Sequence, residues 1–312
     1  MKNLLTLFDL KEDDFLKIIN LSRIFKEMRE RGIRYVNILN GKKIALIFQK
    51  PSTRTVASLS IAIKELGGVP YIFFQQQLQL KRGETFLDTV KVYERYFDAL
   101  IARVYSHKLL EQAAVISKIP IINALSNSFH PLQAISDVFT IYEYFKRLTN
   151  LTIAFIGDGT SNVLNSLIIA SAKLGINLII ASPPQYSPAP MLLKRVKKFM
   201  ERTNAIIKVT DNPIEAVKEA DIIYTDVFVS MGFENESEKR RKIFIPKYQV
   251  NSTLLKHVRK KKYIFMHCLP AHRNEEVTNE VIDDPSHSIV WIQAENRVHT
   301  AKAVLAYLFK NR

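Results

Sequence analysis

Short apolar runs alternate with helix-period segments from one end of this chain to the other, and that alternation constrains its fold more than any single motif. A chain so patterned stacks βα units around a mainly parallel sheet, because each crossover helix buries its apolar stripe on the sheet it has just left. The expected strands fall in two sets: 43–48, 69–74, 99–103 and 120–123, then 151–156, 177–181, 206–209, 221–224, 263–266 and 288–291. Between the sets, Ile135, Val138, Phe139, Tyr142 and Phe145 recur at helical spacing and predict a connecting helix over 132–148. Residues 294–309 predict a last helix with no strand of its own to cross over to, which can pack back on the first set. A length of 312 residues accommodates two cores of roughly 150 residues each. The expected class is α/β, with two doubly wound parallel-sheet domains joined by interdomain helices. The first covers residues 1–147 and is completed by a C-terminal helix over 294–312; the second covers 148–293.

In open parallel sheets, ligands bind beyond the carboxyl ends of the strands, so the chemistry belongs in the strand-to-helix turns. The polar groups found there are Ser52 to Thr55, Arg103, His130 with Gln133, Asp158 to Asn162, Asp226 to Gly232, and His267-Cys268-Leu269-Pro270. Their collection at one kind of position favours an active site over six unrelated loops. Ser52-Thr53-Arg54-Thr55 says the most. It follows the apolar residues 44–48 and opens a helix-period stretch, 56–66, closed by Gly67-Gly68. A hydroxyl-rich turn at a helix start offers unpaired N–H groups and the positive end of the helix dipole to an anion. A Ser or Thr there most often only caps the helix. Arg54 inside the turn favours phosphate, which gives a guanidinium a bidentate partner. The other residues also have plainer readings: Arg103 as a sheet-edge ion pair, His130 as a structural imidazole, Asp226 as a loop or cap acid, Cys268 as a small buried hydrophobe.

The excess of 45 Lys and Arg over 30 Asp and Glu gives a formal charge of +15, which suits nucleic acid, a membrane surface or small anionic substrates. The basic clusters 194–198, 239–242 and 259–262 are dispersed on helix faces or helix ends and carry no interleaved aromatics. That pattern fits solvated surface better than a nucleic-acid stripe. No apolar stretch is long enough to span a membrane, and Asp9 interrupts the N-terminal apolar segment too early for a secretory signal. Cys268 is the only cysteine, so no intramolecular disulfide can form, and a reducing cytoplasm is the expected location.

Taken in order along the chain, these residues resemble the carbamoyltransferases. Ser52-Thr53-Arg54-Thr55 is similar to the carbamoyl-phosphate loop of the family, and His130-Pro131-Leu132-Gln133 to its His-Pro-x-Gln element. Asp226 to Gly232 and His267 to Ala271 resemble the ornithine-binding and Cys-Leu-Pro loops of the family's ornithine branch, and the aspartate branch carries neither. Residues 84–103, 157–162 and 295–297 match as well, so the likeness covers essentially the whole chain.

The resemblance implies carbamoyl transfer from carbamoyl phosphate to the δ-amine of L-ornithine, giving L-citrulline and phosphate in arginine metabolism, with no metal or organic cofactor. The first domain would bind carbamoyl phosphate and the second ornithine. Ser52, Thr53, Arg54 and Thr55 would hold the phosphate, Arg103 both phosphate and carbonyl oxygens, His130 the carbonyl oxygen, and Gln133 the carbamoyl amine. Arg297, Cys268 and Leu269 would complete the carbamoyl-phosphate contacts. Asn162, Asp226, Ser230 and Met231 would bind ornithine, with Asp226 and Cys268 acting at its amine, and His267 would be structural. The family builds on a homotrimer or an assembly of trimers, in which Gln79 would reach a neighbouring subunit's site. Three departures stand out: Gln49 and Ser60 where the family usually carries Glu, and Val56 where it carries Arg. The turn 158–162 is one residue longer than the family's Asp-Gly-Asn-Asn. Competing readings are another amine acceptor, a non-catalytic binding relative, or a dinucleotide-binding protein. The last is weak because Asn162 stands where G-x-G-x-x-G needs its third glycine.

Overall fold

A computed structural model describes residues 2–229 and 234–310, with Lys81 and Glu234 described by their backbone alone. The chain divides into two compact units, Met1–Phe139 with Glu295–Arg312, and Thr140–Ala294. Each is built on its own parallel sheet.

The first unit contains β1 (Lys43–Phe48), β2 (Val69–Phe74), β3 (Ala99–Arg103) and β4 (Ile121–Leu125), in the order β2-β1-β3-β4. The chain leaves β1 toward one side for β2 and returns to the other side for β3. The strand order therefore reverses between β1 and β3, whose ends are in register at Phe48 and Arg103. Both strands are nearly continuous apolar runs because helices cover the sheet. Ile47, Leu100, Ala102 and Ile121 pack there against Phe86 and Val90 of helix Phe86–Tyr93 and Leu110 and Ala113 of helix His107–Ile116. Each fully buried large apolar side chain contributes about 1.5–3 kcal/mol. Helix Thr53–Glu65 buries Thr55, Ser58, Leu59, Ala62 and Ile63, the three- and four-residue spacing of a single face. Gly67 ends it at φ +86°, a conformation open to glycine.

The second unit contains β5 (Thr152–Ile156), β6 (Asn177–Ala181), β7 (Ile207–Thr210), β8 (Ile222–Thr225) and β9 (Ile264–His267), in the order β7-β6-β5-β8-β9. Here the reversal falls between β5 and β8, paired at Ile156 and Thr225. The core joins Ala154, Ile156, Ile223 and Phe265 of the sheet to Val217, Phe244 and Tyr248 of its helices.

The strand expected over 288–291 does not form. Ser288 makes one isolated bridge to Phe265, and helix Val290–Lys310 begins two residues later. Val290 and Gln293 are buried while Trp291 is exposed, so Ile289-Val290-Trp291 obeys the helical period, which so short an apolar run cannot reveal. The connecting helix runs Pro131–Phe145 and stops before Lys146, which has φ +58°. Arg240, expected on a solvated basic face, is 1% exposed. Among the described residues, no helix is long and apolar enough to cross a membrane.

Candidate active site

In the first unit, the candidate phosphate residues gather at the switch point between β1 and β3. Ser52 has extended backbone and caps helix Thr53–Glu65, its Oγ accepting from Thr55 N at 3.4 Å and donating to Thr55 Oγ1 at 2.9 Å. Thr53 and Arg54 occupy the first helical positions, where N–H groups have no partner within the helix. Arg297 Nη2 donates to Thr55 Oγ1 at 2.8 Å, so a residue 242 positions away joins this turn. Arg54 Nε is buried without a hydrogen-bond partner among the described residues, a donor suited to an anion. Gln49, where the family usually carries Glu, accepts from Tyr105 N through Oε1 at 2.9 Å. A carboxylate oxygen could accept the same N–H.

His130 and Gln133 are delivered by the turn after β4. Asn123 Nδ2 donates to Phe129 O at 3.2 Å and Ser126 Oγ accepts from Phe129 N at 3.2 Å, closing the turn just before His130. Pro131 then begins the helix. His130 is buried, and its pKa lies well below 6.5, first because burial penalises the imidazolium and then because Arg297 and Arg103 repel it. The neutral ring can donate one hydrogen bond to a carbonyl oxygen. Gln133 is buried too. Its Nε2 donates to Asp137 Oδ1 at 2.8 Å, which leaves the amide oxygen Oε1 as a buried acceptor with no protein partner among the described residues. That oxygen is matched to an N–H donor such as a carbamoyl amine.

In the second unit, Asp226 follows β8 and is 7% exposed. Ser161 Oγ donates to its Oδ2 at 3.0 Å, and both Val227 N and Cys268 Sγ donate to Oδ1, at 2.8 and 3.1 Å. Three turns, after β5, β8 and β9, thus meet on one carboxylate. Ser161, noted in the sequence only as part of the turn 158–162 and given no role there, caps helix Asn162–Leu174 by accepting from Val163 N at 3.2 Å. Asn162 is the first residue of that helix and partly exposed. The longer turn preceding it folds onto Asp158, whose Oδ1 accepts from both the N–H and the hydroxyl of the exposed Thr160, at 2.9 and 2.6 Å. Gly159 is confined, since a Cβ there would lie 2.4 Å from Tyr186 O and 2.8 Å from Pro188 Cδ.

Asp158 points its other oxygen at Arg240 Nη1, 2.7 Å away, and the same nitrogen donates to Phe228 O at 3.1 Å. The guanidinium also lies over the Tyr186 ring, 4.6 Å from its centroid. Arg240 thereby ties the turn after β5 to the segment after β8. Leu269 has φ +57°, unusual for a residue with a branched side chain, and precedes a cis Pro270. Ser230 and Met231 lie outside the described residues. Gln79 is exposed on a single 3-10 turn, Gln79–Arg82.

The chain is similar to known proteins along nearly its whole length. Residues 2–143 match the family described as aspartate/ornithine carbamoyltransferase, carbamoyl-P binding domain, and residues 149–308 match its Asp/Orn binding domain. The chain is 46% identical over 307 residues to an ornithine carbamoyltransferase of Pyrococcus horikoshii, covering 98% of this chain and 95% of that one. The solved ornithine carbamoyltransferase of Pyrococcus furiosus superposes with a TM-score of 0.94 at 45% identity, covering 100% of this chain and 98% of the other. The anabolic enzyme of Campylobacter jejuni gives a TM-score of 0.91 at 36% identity, with both chains fully covered. The chain belongs to the aspartate/ornithine carbamoyltransferase family.

Proposed function

We propose that this protein transfers the carbamoyl group of carbamoyl phosphate to the δ-amine of L-ornithine, releasing L-citrulline and phosphate in arginine metabolism. The observation that carries the choice of acceptor is the convergence of Ser161 and Cys268 on Asp226, which gives a cationic amino acid a buried carboxylate to meet. Ser52, Thr53, Arg54, Thr55 and Arg297 hold the phosphate, with Arg103 reaching both phosphate and carbonyl oxygens. Neutral His130 donates to the carbonyl oxygen, and Gln133 Oε1 accepts from the carbamoyl amine. Cys268 and Leu269 complete the carbamoyl-phosphate contacts, Asp226 and Cys268 act at the amine, and Asn162, Ser230 and Met231 hold the α-carbon groups.

The chemistry is acyl transfer. The δ-ammonium first loses a proton, its nitrogen forms the new C–N bond, and negative charge builds on the carbonyl oxygen beside His130 and Arg103. The C–O bond to phosphate then breaks, and the bonding pair leaves on the phosphate, which takes the proton shed by the attacking nitrogen. The protein acts in the cytoplasm as a homotrimer or an assembly of trimers, with the exposed Gln79 contributed to a neighbouring subunit. Citrulline formation should be measured with a panel of L-ornithine, L-aspartate, putrescine and N-acetylornithine. Preference for any acceptor other than L-ornithine overturns the assignment.

A further inference from the structure

The turn that carries Cys268 is held by buried groups that have no part in the function proposed above. His267 closes β9, and its ring is fully buried. Leu269 N–H donates to His267 Nδ1 at 2.9 Å, so that nitrogen is an acceptor and the ring carries its proton on Nε2. Nε2 lies 3.1 Å from Oε1 of Glu276, also fully buried, and the same oxygen accepts from His272 N at 2.6 Å. His267 N–H donates to Gln293 Oε1 at 2.9 Å, and Gln293 Nε2 donates to the Tyr224 hydroxyl on β8 at 3.3 Å. One carboxylate therefore selects the imidazole tautomer, the tautomer supplies the acceptor for Leu269 N–H, and that bond retains Leu269 at φ +57°. Cys268, between the two, is thereby presented to Asp226.

We propose that Glu276 is a positioning residue for the amine-binding half of the site, acting through His267 on the Cys268–Leu269 backbone. This rests on the acceptor reading given above. Without the Glu276 acceptor the imidazole can shift its proton to Nδ1, which turns the Leu269 contact from donor–acceptor into donor–donor. The loop then leaves its strained conformation, and the Cys268–Asp226 contact goes with it.

The test compares Glu276→Gln, Glu276→Asp and Glu276→Leu. Gln keeps an acceptor for Nε2–H at the same reach; Asp is one methylene too short; Leu has none. Steady-state kinetics should show the KM for ornithine raised about tenfold or more in Glu276→Leu and Glu276→Asp, unchanged within about threefold in Glu276→Gln, with the KM for carbamoyl phosphate moving by a clearly smaller factor in the Leu and Asp variants. Should Glu276→Leu fail to fold, Glu276→Asp carries the comparison. Because Cys268 is the only cysteine, its alkylation by iodoacetamide reads the loop without any turnover. Alkylation should accelerate in Asp and Leu variants and stay at the wild-type rate in the Gln variant. Wild-type protein that makes no citrulline sinks the acceptor reading and leaves the alkylation arm to decide this one. Equal alkylation rates in all three variants, or KM changes of the same size for both substrates, overturn the positioning role.

Discussion

Cys268 Sγ donates to Asp226 Oδ1 across 3.1 Å, joining two turns that lie 42 residues apart in the chain. The thiol and the Ser161 hydroxyl occupy separate oxygens of one buried carboxylate, so Asp226 is held in place before any amine arrives. Asp226→Asn should raise the ornithine requirement and lower turnover by about 2–4 kcal/mol in kcat/KM, because a charge-assisted contact is removed from a buried site. The KM for carbamoyl phosphate should stay within about twofold, since the residues assigned to its phosphate group lie in the first unit. Unchanged ornithine kinetics would show that the amine is bound elsewhere.

Arg54 presents a buried Nε with no hydrogen-bond partner among the described residues. Arg54→Ala should raise the KM for carbamoyl phosphate and cut kcat together, by about 2–4 kcal/mol in all, because the contact serves both ground and transition states. Equilibrium binding of inorganic phosphate should weaken in step. Near-normal kinetics in the folded variant sinks the phosphate cradle.

Burial, reinforced by Arg297 and Arg103, keeps His130 neutral well below pH 6.5. In the unfolded chain the same ring takes up a proton near 6.5, so below that pH the unfolded state binds the extra proton and the folded state does not. The contribution of His130 to stability is therefore fully present above pH 6.5 and is lost as pH falls through the interval toward its lower folded value. Urea unfolding at about pH 5 and about pH 8 should show a steeper acid loss for the wild type than for His130→Gln. Activity should rise with pH through deprotonation of the ornithine amine, with no inflection belonging to His130.

The Asp158–Arg240 pair is 2.7 Å long with both side chains essentially inaccessible. Arg240→Met should destabilise the protein by about 3–5 kcal/mol, read as a fall in the denaturation midpoint, because it strands a buried carboxylate. Adding Asp158→Asn should recover a substantial part of that loss. If the two substitutions simply add, the pair is not coupled.

The charge of +15 should not translate into nucleic-acid affinity. The clusters are already neutralised in part: Arg241 meets Glu275 at 3.0 Å, Arg259 meets Glu219 at 3.1 Å and Lys260 meets Asp221 at 2.6 Å. Fluorescence titration with duplex and single-stranded oligonucleotides should give weak association that falls steeply with salt. Tight binding at physiological salt contradicts this.

The strands β1, β2, β3 and β6 were legible to the residue because each is an apolar run bounded by turn signals, and β4, β5, β7, β8 and β9 begin within one residue of expectation. The turn at Ser52 was legible for a similar reason: strand, hydroxyls and helix adjoin in sequence. Partners that meet only through the fold were not. Arg240 reads as one more member of a basic run, since nothing nearby marks the carboxylate 82 residues before it. Glu276 and Gln293 look like ordinary loop and helix residues until β9 sets His267 between them. Ser161 was passed over for Asn162, the residue the resemblance names, whereas the helix cap falls on the serine.

The turn between β5 and its helix is confined on both flanks and exposed at its crest. Gly159 is wedged against the Tyr186 carbonyl, Ser161 is fastened to Asp226, and Thr160 lies outside on Asp158. Such a hairpin of contacts isolates the length of the loop from the position of what it delivers. Descendants can gain or lose a residue at its crest while the helix axis, and with it the reach of its first side chains, stays where it was. Insertions at Thr160 are thus a route by which this lineage can vary a substrate-side loop without renegotiating the rest of the domain.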